Sequence, residues 1–247
     1  MKEWISGRNP VYEALRARRR PFFRLLVARG VEEKGRLTEI FTLAKGLRLT
    51  VETVQRPQLD RLGENHQGVA LECGEYPYAN LQDVLDRAAE RQQPPFVLVL
   101  DALQNPQNMG TLLRTAEAAG IHGVLIPFRR TASVTPAVVH ASAGATEHLL
   151  VAQGNLAQMI DRLKEVGVWV VGLEGGPGSE PVERVRLDGP LAVVVGNEGE
   201  GMRGLTRKSC DVLMRLPMHG QIESLNAAVA GSIVLYLVLQ ARAVTKH

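Results

Sequence analysis

Cysteine is scarce in this sequence, which has only Cys73 and Cys210 among its 247 residues, and this excludes a disulfide scaffold or a four-cysteine zinc site. Long apolar runs are missing too, because the longest, residues 227–239, is shorter than the roughly 20 residues that cross a membrane. The opening residues, MKEWISGRNP, lack the apolar segment of a secretory signal. Since 45% of the residues are hydrophobic, enough for a core, we expect a folded cytoplasmic protein that does not bind membranes.

Metal-binding and nucleophile motifs are also absent from the sequence. The six histidines show neither HxxxH nor HExxH spacing, so we expect no metal site, and there is no GxSxG nucleophile elbow. Neither cysteine has a base partner close to it in the sequence, and we expect both to be buried structural thiols.

The chain has few lysines, 6 against 23 arginines, and its charge is unevenly distributed. Residues 1–73 carry 14 basic and 9 acidic side chains, whereas residues 74–247 carry 15 and 17. Arginine presents a planar fork of donors suited to phosphate. An arginine-rich N-terminal segment that precedes a nearly neutral remainder of the chain is therefore typical of an RNA-binding segment. A solvated basic surface, or a GC-rich genome that prefers arginine codons, would leave the same pattern.

The apolar pattern predicts two α/β domains joined by a linker. Residues 1–73 alternate helical and strand patterns, and residues 74–95 combine a short polar helix with the stiff pair Pro94-Pro95. Residues 96–247 contain five continuous Val- and Leu-rich runs with helical patterns between several of them, which is typical of a parallel sheet buried on both faces. Ligands of such sheets bind at the carboxyl ends of the strands, so the loops that follow the strands are the places to search.

The first of these loops, DALQNPQNMG at residues 101–110, leads into a helix that we expect Asn108 to cap. On that helix Arg114 should point away from the packing face. The structural alternative is an exposed ion pair between Arg114 and Glu117, three residues further on.

Two later loops have features of a ligand site. The loop GNEGEGM at residues 196–202 has glycines at 196, 199 and 201 that allow close backbone approach, with GxxGxG rather than dinucleotide-binding GxGxxG spacing. Its two carboxylates would repel a phosphate-bearing cofactor and accept a cationic one, unless the loop is only a solvated turn.

The segment RLPMHGQIESLNAAVA at residues 215–230 leads into the last helix, which we expect Ser224 to cap, with Asn226 in the first turn. Ordinary capping alone would explain both residues.

Together, NPQNMGTLLRTAEAAG (105–120), LAVVVGNEGEGM (191–202) and RLPMHGQIESLNAAVAGSIVLYLV (215–238) resemble the three motifs of the SpoU, or TrmH-type, RNA ribose 2′-O-methyltransferases. GRNPVYEALRARRR and NHQGVA (65–70) resemble the small substrate-binding domain, similar to ribosomal protein L30e, of the 23S rRNA guanosine-2′-O-methyltransferase subgroup. The resemblance covers nearly the whole chain. It implies an α/β fold in which an L30e-like domain precedes a parallel-sheet SPOUT domain with a C-terminal trefoil knot, and a homodimer that binds S-adenosylmethionine in the knot.

The resemblance also implies roles for single residues. Arg114 would be the essential arginine of the first motif, and the other polar active-site positions would be Asn108, Glu198, Ser224 and Asn226. The cofactor would be held by Gly196, Leu216, Met218 and Leu225. Since a sulfonium methyl donor is already activated, no metal is required, and arginine's high pKa makes it a poor base. We therefore expect Arg114 to position the ribose oxygen and to stabilise its developing negative charge.

The front domain would supply affinity for RNA, through phosphate contacts from Arg8, Arg16, Arg18, Arg19, Arg20 and Arg24. The expected reaction is methyl transfer to the ribose 2′-hydroxyl of a guanosine in 23S rRNA. Two alternatives stay open at this point. The same reaction on tRNA, or at another rRNA site as in resistance-type methyltransferases, would share all three motifs. A non-catalytic RNA-binding or assembly protein would keep the fold, although the complete set of polar residues favours an enzyme.

Overall fold

A computed structural model of the chain describes residues 2–63, 65–129, 131–176, 178–197 and 199–244. They form two compact units. The first contains Met1–Pro77 and Ser133–His148, and the second contains Tyr78–Ala132 and Leu149–His247. The segment Ser133–His148 thus belongs to the first unit, although in the sequence it lies between two strands of the second.

The strands, in chain order, are β1 (Lys2–Ser6), β2 (Phe22–Ala28), β3 (Thr50–Val54), β4 (Val69–Gly74), β5 (Phe96–Leu100), β6 (Gly123–Pro127), β7 (Val151–Gly154), β8 (Trp169–Leu173), β9 (Glu180–Pro181), β10 (Leu191–Val195) and β11 (Val212–Arg215). The α-helices are α1 (Arg8–Ala17), α2 (Arg36–Gly46), α3 (Arg56–Asp60), α4 (Leu81–Glu90), α5 (Pro106–Ala118), α6 (Pro136–Ala141), α7 (Leu156–Glu165), α8 (Gly204–Ser209) and α9 (Ala227–Val244). Short 3-10 helices span Ala145–His148 and Val182–Arg184.

The first unit contains a four-stranded sheet in the order β1-β4-β2-β3. Strand β4 is antiparallel to β1 and β2, whereas β2 and β3 are parallel. Helix α1 has Pro10 in its first turn, where no helical N–H is needed, and it buries Val11, Ala14 and Leu15 along one face. It ends at Ala17, because the next residue, Arg18, has a left-handed backbone (φ 53°) that stops the helix.

The second unit contains a seven-stranded sheet in the order β7-β6-β5-β10-β8-β11-β9, and every pair of neighbours is parallel. Strands β5, β6 and β10 are completely buried, as their Val- and Leu-rich runs predict. Val194 belongs to a core cluster with α4 and α7, and the next residue, Val195, lies beside Gly231 of α9. Since successive side chains of a strand point to opposite faces, helices cover both faces, and the predicted α/β fold with a parallel sheet is confirmed.

Helix α9 has 18 residues and a mean hydropathy of 1.7, values that would also suit a membrane span. A third of it is buried within the protein, where it contacts α5 and β10. Gly231 allows this close approach, because a Cβ at that position would lie 3.0 Å from Cδ1 of Leu112. The helix therefore forms one layer of the second unit, and it is longer than the apolar run of the sequence because it continues past Leu239 to Val244.

Candidate functional site

A cavity of about 770 Å³ lies at the carboxyl ends of β8, β10 and β11, a volume within the usual range for small-molecule sites. Its walls come from the loop after β8, the loop after β10 and the segment between β11 and α9. The four residues expected to hold a cofactor all line it, as does Ser224, so the fold brings together Gly196, Leu216, Met218, Ser224 and Leu225.

The walls of the cavity combine apolar side chains with carboxylates and two arginines, Arg207 and Arg215. Leu173, Val195 and Leu216 contribute apolar surface. Three glutamates also line the cavity, and one of them, Glu174, accepts from Nε of Arg207 at 2.8 Å. The other two, Glu200 and Glu223, are exposed. Such walls suit a ligand that combines an apolar ring with a cationic centre.

The loop after β10 is closed by its own backbone. Asn197 and Gly201 exchange two N–H to carbonyl hydrogen bonds, each 3.0 Å long. A Cβ at Gly196 would lie only 2.4 Å from the carbonyl carbon of Gly201, so only glycine fits there. Glu198 lies outside the described residues. Gly199, Gly201 and Gly204 have GxGxxG spacing, but the helix that begins at Gly204 has only six residues, far fewer than a dinucleotide-binding helix.

The caps of the two helices beside the site differ from the prediction. Helix α5 begins at Pro106 and is capped by Asn105, whose Oδ1 accepts from the N–H of Gln107 and Asn108, so Asn108 lies in the first turn. Helix α9 is capped by Asn226 instead of Ser224, because Asn226 Oδ1 accepts from two N–H groups of the first turn, those of Ala228 and Val229. Each cap lies where its helix begins, and the helices begin two to three residues away from the predicted positions.

The structure brings Asn108 and Asn226 together. Asn226 Nδ2 donates to Asn108 Oδ1 at 3.2 Å, which connects the first turns of α5 and α9. Further along the same two helices, Ser232 donates to the Thr115 hydroxyl at 2.9 Å. These polar contacts hold the start of α9, and with it one wall of the cavity, against α5.

Arg114 is exposed on α5. Within the part of the chain that the structure describes, it has no ion-pair partner, and the alternative pair with Glu117 does not form. Arg114 does not line the cavity. The structure therefore groups the predicted cofactor residues with Ser224, and Asn108 with Asn226, but it places Arg114 in neither group.

Of the six arginines expected to contact RNA, Arg20 cannot do so, and the prediction for this residue is wrong. Its side chain is completely buried, with Nη2 2.5 Å from Glu147 Oε1 and Nη1 3.0 Å from Glu3 Oε2, so it cannot reach a phosphate. Arg19 donates to the Tyr76 hydroxyl at 3.3 Å. Arg24 pairs with two glutamates, Glu72 and Glu52, at 2.9 and 3.3 Å. The remaining three are exposed or half-buried on the surface of the first unit, namely Arg8, Arg16 and Arg18.

Neither cysteine has the properties of a nucleophile. Cys73 is buried and Cys210 is half-buried, and both are free thiols. Burial raises the pKa of each thiol to about 12, so both stay protonated at neutral pH. Over residues 2–63, 65–129, 131–176, 178–197 and 199–244, no group of three His, Cys, Asp or Glu side chains is arranged to hold a metal ion.

Sequence reasoning missed the loop after β8, which contributes Glu174, Gly175 and Gly176 to the cavity. The available signal was a pair of glycines one residue after a strand with a buried centre. It also missed Asp101, which directly follows β5, is fully buried and accepts from Arg203.

Comparison with known proteins agrees with this geometry. Residues 95–236 match the SpoU rRNA Methylase family, and residues 4–79 match a family described as RNA 2′-O ribose methyltransferase substrate binding. YacO of Bacillus subtilis, by name a protein of the TrmH tRNA/rRNA methyltransferase family, is 40% identical over 242 residues, which are 97% of this chain and 96% of that protein. An uncharacterized tRNA/rRNA methyltransferase of Mycolicibacterium vanbaalenii is 41% identical over 243 residues, 97% of this chain and 77% of that protein.

Two solved structures share the fold. The SpoU methyltransferase AviRb from Streptomyces viridochromogenes, in complex with the cofactor AdoMet, aligns with a TM-score of 0.80 at 24% identity and covers 98% of this chain and 91% of its own. An AdoMet-bound rRNA methyltransferase from Sinorhizobium meliloti aligns with a TM-score of 0.78 at 23% identity, over 97% of this chain and 87% of its own.

Proposed function

Since the chain belongs to the SpoU rRNA methylase family and is an S-adenosylmethionine-dependent RNA methyltransferase, we propose that it methylates the ribose 2′-hydroxyl of a guanosine in 23S rRNA. The observation that carries this proposal is the convergence of three predicted motif segments on one sheet edge, two of them around a cavity with mixed apolar and acidic walls. The match of residues 4–79 to a substrate-binding family adds a second unit for RNA.

The residues of the cavity fit the cofactor. S-adenosylmethionine supplies a methyl group on a positively charged sulfur. Leu216, Met218 and Leu225 offer the apolar contacts that its adenine ring needs, while Glu200 and Glu223 offer negative charge to its cationic part. Gly196 has no side chain, and this allows the backbone of Gly201 to lie against it where the loop folds back on itself.

The polar residues of the three motif segments would act on the ribose. Methylation forms a bond between the 2′-oxygen and the methyl carbon, breaks the carbon–sulfur bond and releases the hydroxyl proton to solvent. The guanidinium of Arg114 would hold the ribose oxygen, directly or through an RNA phosphate, and stabilise the negative charge that develops on it. The contact between Asn226 and Asn108 would keep both amides in fixed positions, and Ser224 lines the cavity. The role of Glu198 remains a prediction.

A homodimer in the cytoplasm is part of the same proposal. Val229, Ile233 and Tyr236 follow i, i+4, i+7 spacing on α9, and each is more than 40% exposed. An apolar stripe of this kind is typical of a surface that a second protein covers, and a second copy of the chain is the simplest partner because a twofold interface uses one patch twice.

The direct test is to map ribose methylation on total RNA from cells with and without the gene. The proposal expects one 2′-O-methylguanosine in 23S rRNA to disappear with the gene, and the purified protein to restore it on RNA from the deletion strain. Loss of a tRNA methylation with intact 23S rRNA would assign the enzyme to tRNA instead. Absence of any change, together with no S-adenosylmethionine binding in calorimetry, would leave an RNA-binding protein without catalysis.

A further inference from the structure

A second groove, of about 450 Å³, opens in the second unit at the carboxyl ends of β6 and β7. Its described lining residues are Pro127, Phe128, Arg129, Gly154, Asn155, Leu156, Ala157, Arg203, Leu205 and Thr206. None of the motif residues assigned to the cofactor or the ribose lies among them. The groove therefore needs an explanation of its own.

The side chain of Phe128 is unusually exposed for an aromatic residue, at 69% of its surface. It follows β6 directly, and Arg129, which is also exposed, comes next in the chain. A large apolar ring in water is unfavourable without a partner, and the two arginines that share this groove with it are ill suited to an apolar protein partner. An aromatic face beside guanidinium groups is the usual platform for an unpaired nucleic-acid base.

The second arginine of the groove is held in place by a buried carboxylate. Arg203 donates to Asp101 twice, from its backbone N at 2.8 Å and from Nε at 2.5 Å. Asp101 has no exposed surface, whereas 38% of the Arg203 side chain is exposed. Because Nε is used by Asp101, the guanidinium is oriented and its Nη groups have no other partner among the described residues.

The described charged side chains that line the groove are all basic, whereas those that line the cofactor cavity are of both signs. The lining of the groove that the structure describes contains Arg129 and Arg203 and no carboxylate, whereas the described lining of the cavity combines three glutamates with two arginines, Arg207 and Arg215. A polyanion would therefore favour the groove, and a cationic cofactor the cavity.

The groove and the cavity are also close enough to serve one substrate. Strand β5 alone separates β6 from β10, so their carboxyl ends lie about 10 Å apart at ordinary strand spacing. The loop after β10 joins them, because Met202 lines the cavity and the next residue, Arg203, lines the groove.

We propose that this groove binds an unpaired nucleotide of the substrate RNA that flanks the methylated one. Its base stacks on Phe128, and its phosphate is contacted by Arg129 and Arg203. The inference rests on the proposed function, since it assumes an RNA substrate at this sheet edge. It adds a site in the second unit that holds RNA independently of the first unit.

The test compares the wild-type protein with single variants of the full-length chain. For each protein, fluorescence anisotropy measures the affinity for a short single-stranded oligouridylate. Phe128→Ala should weaken binding about 10-fold, the effect of losing one stacked base, and Phe128→Trp should retain it. Trp169→Ala is the matched control, because Trp169 is an exposed aromatic residue at the opposite end of the same sheet, and it should leave binding unchanged. Arg129→Ala should weaken binding and reduce its salt dependence.

A photocrosslink from 5-iodouridine in the oligonucleotide should fall on the peptide that contains Phe128. Wild-type affinity in Phe128→Ala, or a crosslink confined to other peptides, would overturn the proposal. So would an altered sedimentation coefficient of Phe128→Ala with unchanged RNA affinity, which would identify the groove as a protein contact. If the wild-type protein methylates no RNA, the proposed function is wrong, and the oligonucleotide data still show whether the groove binds RNA. If methylation and RNA binding are both normal in Phe128→Ala, only the proposal that the groove binds a nucleotide is wrong.

Discussion

Asn226 contacts Asn108 across two helices, with its Nδ2 donating to the other amide's Oδ1 at 3.2 Å. Its own Oδ1 accepts from the N–H groups of Ala228 and Val229 and so caps α9. One side chain therefore has two separable tasks, capping through its oxygen and connecting the first turns of α5 and α9 through its nitrogen.

Two substitutions at this position separate these tasks. Asn226→Asp keeps an oxygen for the cap but replaces the donor by an acceptor, so we expect near-normal stability and a lower kcat. Asn226→Ala removes both and should also lower the free energy of unfolding by about 1 kcal/mol. Urea unfolding and methylation rates measure the two effects. Equal activity in Asn226→Asp and the wild type would show that the contact with Asn108 is not needed for the reaction.

Gly196→Ala should abolish cofactor binding. A Cβ at this position would lie 2.4 Å from the backbone of Gly201, and backbone atoms cannot move aside as a flexible side chain can. The loop would have to open, which displaces the wall of the cavity. Calorimetry with S-adenosylmethionine measures the loss. Gly199→Ala is the matched control, since nothing lies within 4 Å of its added Cβ; normal binding in both variants would contradict the assignment of the loop.

The buried strands of the second unit could be predicted from the sequence because each is a continuous apolar run. Two of the loops that line the cavity could be predicted because such sheets bind ligands at the carboxyl ends of their strands, whereas the cofactor residues within these loops were implied by the family resemblance. Strand β1 could not be predicted, because KEWIS lies at a sheet edge, half exposed, and has no apolar run or regular alternation. The caps were displaced because Asn105 and Asn108, or Ser224 and Asn226, are equally good capping residues. Only the packing of the helices decides between them.

The membership of residues 133–148 in the first unit also could not be predicted. It depends on contacts such as the one between Arg20 and Glu147, which are 127 positions apart, and no local pattern encodes such a pairing. For the same reason Arg20 looked like one more arginine of a basic surface. The trefoil knot implied by the family resemblance remains a prediction.

Replacing Arg114 should affect catalysis and little else. The side chain is exposed and has no ion-pair partner in the described ranges of the chain, so Arg114→Ala should unfold at the wild-type urea concentration and bind S-adenosylmethionine normally. Its kcat should fall by about 100- to 1000-fold, the usual cost of removing one group that stabilises a developing negative charge. Arg114→Lys keeps the charge without the planar fork and should recover only part of the rate. Near-normal turnover in Arg114→Ala would refute the assigned role.

Removing Glu147 should destabilise the first unit strongly. Arg20 and Glu147 are both completely buried, and Arg20 Nε and Nη2 donate to the two carboxylate oxygens at 3.1 and 2.5 Å. Glu147→Ala leaves a buried guanidinium with one remaining carboxylate, Glu3, and should cost about 3–5 kcal/mol in urea unfolding. Arg162→Ala, which breaks the exposed pair with Glu165, should change stability by less than about 1 kcal/mol. Similar losses in both variants would contradict the importance of burial.

Acid should destabilise the second unit through His122. The ring is buried, its Nδ1 accepts from the N–H of Phe96 at 2.9 Å, and its Nε2 lies 3.1 Å from Gln93 Oε1. Burial, with the nearby charges of Arg91 and Arg242, lowers the pKa of His122 from 6.5 to about 4. Between these two values the unfolded chain binds a proton that the folded chain does not, so stability is complete above pH 6.5 and is lost as the pH falls towards 4. The loss from this group is on the order of 3 kcal/mol.

The matched variant is His122→Asn, whose amide oxygen can accept from Phe96 but does not titrate in this range. Carboxylates contribute equally to both proteins, so the difference between their urea unfolding curves at a series of pH values isolates the histidine. We expect the wild type to lose stability relative to His122→Asn as the pH falls from 6.5 to 4, and the difference to become constant at lower pH. Parallel pH profiles for the two proteins would mean that His122 is protonated in the folded state as readily as in the unfolded chain, and that its buried hydrogen bonds do not favour the neutral ring.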